Sequence, residues 1–95
     1  MVILGIDPGL AIVGYGVLEY ERSRFRVLDF GAIRTPAGMR TEDRLCKIHR
    51  GMNELIDRYR PSEMAVEELF FVKNITTGIS VAEARGVILL AARER

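Results

Sequence analysis

The chain has 95 residues, about two-thirds of an average domain, so a second domain is excluded. Hydrophobic residues make up 48% and charged residues 28%, with Cys46 the single cysteine, which excludes a disordered tail, a collagen-like chain and a disulfide scaffold. No apolar run approaches the ~18 residues that span a bilayer, and Asp7-Pro8-Gly9 interrupts the apolar start before a signal peptide forms, so a cytoplasmic protein without membrane contact is expected. Fourteen basic residues face 13 acidic ones, yet residues 22–50 carry eight bases against three acids. That block is either a footprint for phosphates or solvated charge along a strand and a helix.

Val2-Ile3-Leu4-Gly5-Ile6 is an apolar run ending at the Asp7-Pro8-Gly9 turn, and it reads as a strand buried on both faces. Ile12 to Tyr20 is a second strand whose Gly14 and Gly16 share a face, a sign that something approaches that backbone closely. After the polar turn at 21–24 comes a third strand. Its apolar phase slips near Leu28-Asp29, which predicts a bulge. Thr41 offers an N-cap for a helix carrying Leu45, Ile48, Met52, Leu55, Ile56 and Tyr59 on one face, stopping before Pro61. Cys46, beside that face, is placed in the core, and His49 on the surface or half-buried.

Met64-Ala65-Val66 is a fourth strand ending at Glu67-Glu68, and the intervening helix makes it parallel to the first. From about Thr77 a second helix is apolar nearly all round, so it is buried in a larger core or a subunit interface, and Ile88→Asp would probe that interface. The fold class is therefore α/β: a mixed sheet with strands one to three antiparallel, strand four parallel to strand one, and two helices. Arg95 falls inside the helical pattern and strand four would leave a bare edge, so residues 1–95 are expected to be the N-terminal portion of one longer domain.

Asp7 and Glu67 end the first and fourth strands. As parallel neighbours those strands lie ~4.8 Å apart, and both carboxylates then reach one point above the sheet edge, where open α/β sheets place their ligands. Oxygen ligands without His or Cys partners suit Mg²⁺ or Mn²⁺, which can activate water for phosphodiester hydrolysis. Each residue also has a plainer role. Asp before Pro-Gly forms turns, strand-end glutamates are solvated, and Phe70-Phe71 is core unless it stacks on a base.

Gly5-Ile6-Asp7-Pro8-Gly9 followed by Gly14-Tyr15-Gly16-Val17 resembles the start of the RuvC family of crossover-junction (Holliday junction) endodeoxyribonucleases. The likeness continues through Ala65-Val66-Glu67, Phe70, Lys73-Asn74 and Ala84-Arg85-Gly86-Val87. It implies a ribonuclease H-like fold, a homodimer built on the second helix, and Mg²⁺-dependent symmetrical nicking of four-way DNA junctions in recombination and repair. Asp7 matches the first catalytic, metal-binding carboxylate and Glu67 the second, with Glu68 the neighbour that could confuse the assignment. Phe70 matches the aromatic presented to the junction, Phe71 shares that task, and Lys73 and Asn74 join them in DNA binding. Branch-migration helicase machinery is the implied partner. The family's remaining catalytic acids come from a C-terminal helix and its sheet has a fifth strand. Neither occurs within residues 1–95, so these residues alone are expected not to cleave.

Three other readings stand beside it. An ATP phosphate-binding module of the actin, chaperone and sugar-kinase type also opens with a strand, Asp-x-Gly and a glycine-bearing hairpin, but needs a second phosphate loop that does not follow here. A YqgF-type resolvase-like protein would share the fold. A non-catalytic dimerisation module would use the second helix for assembly alone.

Overall fold

The computed structural model describes residues 1–67 and 75–95, with Ile75 and Thr76 described by backbone alone. The readings placed on Glu68, Phe70, Phe71, Lys73 and Asn74 lie outside the described residues. The elements in chain order are β1 (Val2–Asp7), β2 (Ile12–Glu21), β3 (Arg24–Arg34), α1 (Thr41–Tyr59), β4 (Glu63–Val66) and α2 (Ile75–Glu94). They form one sheet of order β3-β2-β1-β4. β2 runs antiparallel to both β1 and β3, and β4 runs parallel to β1, as the helix between them requires.

Both helices pack on one side of the sheet. Leu4 and Ile6 of β1 and Val13 and Val17 of β2 meet Ile48 and Met52 of α1 and Ala84, Ile88 and Ala91 of α2 in the core. β1 is therefore not buried on both faces: Leu4 and Ile6 are buried while Ile3 and Gly5, pointing the other way, are half-buried. Tyr59 Oη donates to Asp29 Oδ2 at 2.6 Å and ties the end of α1 to β3, while His49 Nε2 and Glu94 Oε1, 2.7 Å apart, join the two helices.

The expected bulge is present. Val17 pairs with Asp29 and Leu18 with Val27, leaving Leu28 as the extra residue. Val27 and Phe30 are an odd number of positions apart and would otherwise face opposite sides. The bulge puts both on the side away from the helices, where Phe30 is 78% exposed. The β2–β3 turn places Arg22 (φ 51°) and Ser23 (φ 63°) in the left-handed region, the twist a two-residue hairpin needs, without a glycine.

Three further expectations are corrected. Thr41 is the first helical residue rather than the cap: Arg40 is the N-cap, its carbonyl accepting from the Arg44 amide at 2.9 Å, with no side-chain capping bond. Cys46 is exposed, since it sits a full residue round the helix from Leu45, on the solvent side. The basic block of residues 22–50 runs along β3 and α1, with Arg24 and Arg34 closing the two ends of an 11-residue strand, about 34 Å apart. Ile88 is not an interface residue: it is fully buried against the sheet, and the outward face of α2 carries Ile79, Leu89 and Leu90 instead. No helix among the described residues is long and apolar enough to cross a membrane.

Candidate active site

Asp7 is the last residue of β1, and Glu67 directly follows β4. Ile6 and Val66 are register partners, and the Glu67 amide donates to the Ile6 carbonyl at 3.1 Å, adding one rung to the parallel ladder. Ile6 turns into the core, so the residues after Ile6 and Val66 turn to the open face of the sheet. Both carboxyls are exposed there and stand close enough to interact directly. The proximity of Asp7 holds the Glu67 pKa above its ordinary value, hydrogen bonding to Asp7 contributing most, then the Asp7 charge, then desolvation.

Two glycines shape the ground around Asp7. Gly14 is its partner on β2, and a Cβ there would lie 3.6 Å from the Asp7 Cβ and 4.0 Å from its Oδ2. Gly14 thus leaves the flank of the carboxylate open, at ordinary contact distances that do not themselves demand a glycine. Gly16 does not share that role, since a Cβ there would meet nothing within 4 Å. Gly9 closes the turn: its Cβ would stand 2.3 Å from the Ile12 carbonyl oxygen, and that atom is backbone and cannot swing aside.

Other contacts at the site come from residues whose sequence carries no such signal. Arg85 of α2 donates from Nε to the Glu67 carbonyl at 3.3 Å, holding the end of β4 from the helix side. Thr35, the buried polar residue just past β3, donates through Oγ1 to the Leu10 carbonyl at 2.7 Å and through its amide to the Ala11 carbonyl at 2.9 Å. These bonds run to main-chain carbonyls, which no motif advertises.

The donor set is two carboxylates on adjacent strand ends, with His49 and Cys46 away on α1. Two hard oxygen donors side by side, whose mutual repulsion a cation would relieve, fit a hard divalent cation such as Mg²⁺ or Mn²⁺. Among the described residues no group of three or more His, Cys, Asp or Glu gathers to hold a metal. A cavity of about 620 Å³ lies at the other end of β4, against Pro61, Ser62 and Arg95, and takes no part in this site.

A mixed sheet with two helices on one side, and carboxylates at the carboxyl ends of its parallel pair, belongs to the ribonuclease H-like folds. Residues 3–95 match the family described as crossover junction endodeoxyribonuclease RuvC. The protein of that name from Moorella thermoacetica is 58% identical over 92 residues, which are 97% of this chain and 55% of the relative. Its counterpart from Halothermothrix orenii is 56% identical over 91 residues, 96% of this chain and 55% of the relative. Thermus thermophilus RuvC, solved in complex with Holliday junction substrate, superposes with a TM-score of 0.92 at 35% identity, covering 99% of this chain and 60% of that one. The chain belongs to the RuvC family, and it spans a little over half the length of these curated relatives.

Proposed function

We propose that these residues form the N-terminal share of a Holliday junction resolvase, a metal-dependent endodeoxyribonuclease acting in DNA recombination and repair in the cytoplasm. The observation that carries the reading is the Glu67–Ile6 rung, which supports the Asp7 and Glu67 carboxyls acting side by side on the open face. Asp7 and Glu67 are the ligands for Mg²⁺, with Mn²⁺ an acceptable substitute. When bound, the metal supplies an activated water and neutralises charge at the scissile phosphate. The chain's own contribution is to hold two carboxylates side by side and to keep the Gly14 flank clear for the backbone of DNA.

Phe70 and Phe71 supply faces for unstacked bases at the junction, and Lys73 and Asn74 supply donors for its phosphates. A homodimer forms through the outward stripe of α2, where Ile79, Leu89 and Leu90 are exposed. It would present two such sites to a four-way junction, in concert with branch-migration machinery. The RuvC-family match favours this reading over the phosphate-binding module.

Mn²⁺ titration followed by amide NMR tests the site. Broadening should centre on Ile6, Asp7, Val66 and Glu67 and vanish in Asp7→Asn; broadening that persists in that variant refutes the assignment. In a chain of the relatives' full length, Mg²⁺-dependent symmetric nicks in a labelled junction should disappear with Asp7→Asn. The 95-residue chain is expected not to nick, and symmetric nicking by it would overturn that expectation.

A further inference from the structure

We infer that Thr35 and Arg44 are positioning residues for Asp7, acting by clamping the four-residue loop that follows it; this rests on the reading of Asp7 as a metal ligand. Only Pro8, Gly9, Leu10 and Ala11 separate the end of β1 from the start of β2. With Gly9 packed against the Ile12 carbonyl, that loop has no slack. Two of its four carbonyls, those of Leu10 and Ala11, are taken by Thr35, at 2.7 Å from the hydroxyl and 2.9 Å from the amide.

Thr35 is 4% exposed and is the buried polar residue of the described structure. Its hydroxyl is therefore worth a charge-free but water-excluded hydrogen bond, and leaving the Leu10 carbonyl unpaired there carries a desolvation penalty. Thr35 is in turn held from α1. The Arg44 guanidinium donates to the Pro36 carbonyl from Nη2 at 3.0 Å and from Nε at 3.3 Å, and reaches the Thr35 carbonyl at 3.4 Å. A continuous set of bonds thus runs from the first turn of α1, through the end of β3, to the loop that begins one residue after Asp7. Removing a link lets the loop relax, and Asp7, at an open strand end with an exposed side chain, follows it.

The test uses this chain and Mn²⁺ alone. Thr35→Val keeps the shape and removes the hydroxyl, Thr35→Ser restores it, and Arg44→Gln removes the charged fork. Thr35→Val and Arg44→Gln should raise the Mn²⁺ dissociation constant about 10-fold, the low end for groups outside a metal's own ligands. Both should also speed hydrogen exchange at the Leu10 to Ile12 amides, while Thr35→Ser stays near the unaltered chain in both respects. Ile48→Val, a core change of comparable mild destabilisation, serves as the control and should leave Mn²⁺ affinity unchanged. If Thr35→Val lowers the melting temperature but not Mn²⁺ affinity, or if Ile48→Val weakens Mn²⁺ as much, Thr35 is structural only and the inference is overturned. A separate failure is recognisable: Mn²⁺ binding untouched by Asp7→Asn removes the metal reading itself, and the inference with it.

Discussion

Leu90→Asp should abolish self-association of the chain without unfolding it. On α2, Ile79, Ala82, Gly86, Leu89 and Leu90 recur at helical spacing on the exposed face, opposite the buried Ala84, Ile88 and Ala91. Leu90 is 54% exposed, and fully burying a leucine is worth roughly 1.5–3 kcal/mol, so covering its exposed half contributes about 1 kcal/mol. A two-fold axis counts every change twice, so truncation to alanine removes about 2 kcal/mol, or about 30-fold in dissociation constant. Aspartate adds two carboxylates to be desolvated and should cost more. Gly86 points the same way. Among the described residues a Cβ there would meet nothing within 4 Å, so none of them explains a glycine that costs a helix about 1 kcal/mol relative to alanine. Close approach of a second helix does explain it. Gly86→Ala should therefore stabilise the isolated fold while weakening association. Sedimentation equilibrium with parallel thermal melts reads both quantities. A folded Leu90→Asp chain that associates as tightly as the unaltered one would refute the interface, and so would an unaltered chain that stays monomeric at every concentration.

Tyr59→Phe removes the bond to Asp29, the leading reason that the Tyr59 pKa lies above 10.0, ahead of desolvation. A tyrosine whose pKa is raised on folding holds its proton more tightly when folded, so its stabilisation is complete below pH 10 and fades as pH rises beyond it; the variant should be less stable at neutral pH and lose less on going alkaline, measured by urea unfolding at both. Ser23→Gly relieves a left-handed residue and should raise unfolding stability by about 1 kcal/mol, with no gain counting against the turn assignment. Gly9→Ala forces a Cβ into the Ile12 carbonyl; strain of about 1–3 kcal/mol should appear in the melt, together with weakened Mn²⁺ binding, and an unchanged chain would show that the loop has slack after all.

The sheet was legible because its signals are local and redundant. β-branched runs bounded by turn residues mark each strand, and the slip in apolar phase near Leu28-Asp29 marks the bulge, whose extra residue is Leu28. The pairing of Asp7 with Glu67 was legible for a topological reason: a helix between two strands leaves them parallel, and parallel neighbours end at the same edge. Single-residue environments were harder. Thr41 satisfies the cap preference by type, but Arg40 supplies the capping carbonyl, and propensity cannot separate adjacent positions. Cys46 and Ile88 were misplaced for a common reason: a nearly all-apolar helix, or a residue flanking an apolar stripe, shows no phase that separates its buried side from its exposed side. Thr35 and Arg44 were invisible, and Arg85 stood in a matching stretch without a role of its own, because what all three hold is main chain.

The remaining exposed apolar surface constrains how the molecule assembles. Phe25, Val27, Phe30 and Ile12 cover the sheet face that carries Asp7, whereas the Ile79–Leu90 stripe lies beyond the helices on the opposite side. One flat contact cannot cover both. A dimer closed on α2 therefore leaves each sheet face, and each carboxylate pair, open and directed away from the two-fold contact. A dimer closed on the sheet would bury Asp7 and Glu67 under the partner and shut DNA out. Of these two apolar surfaces among the described residues, the helix stripe is the one that can serve self-association while leaving the acidic pair accessible to a phosphodiester.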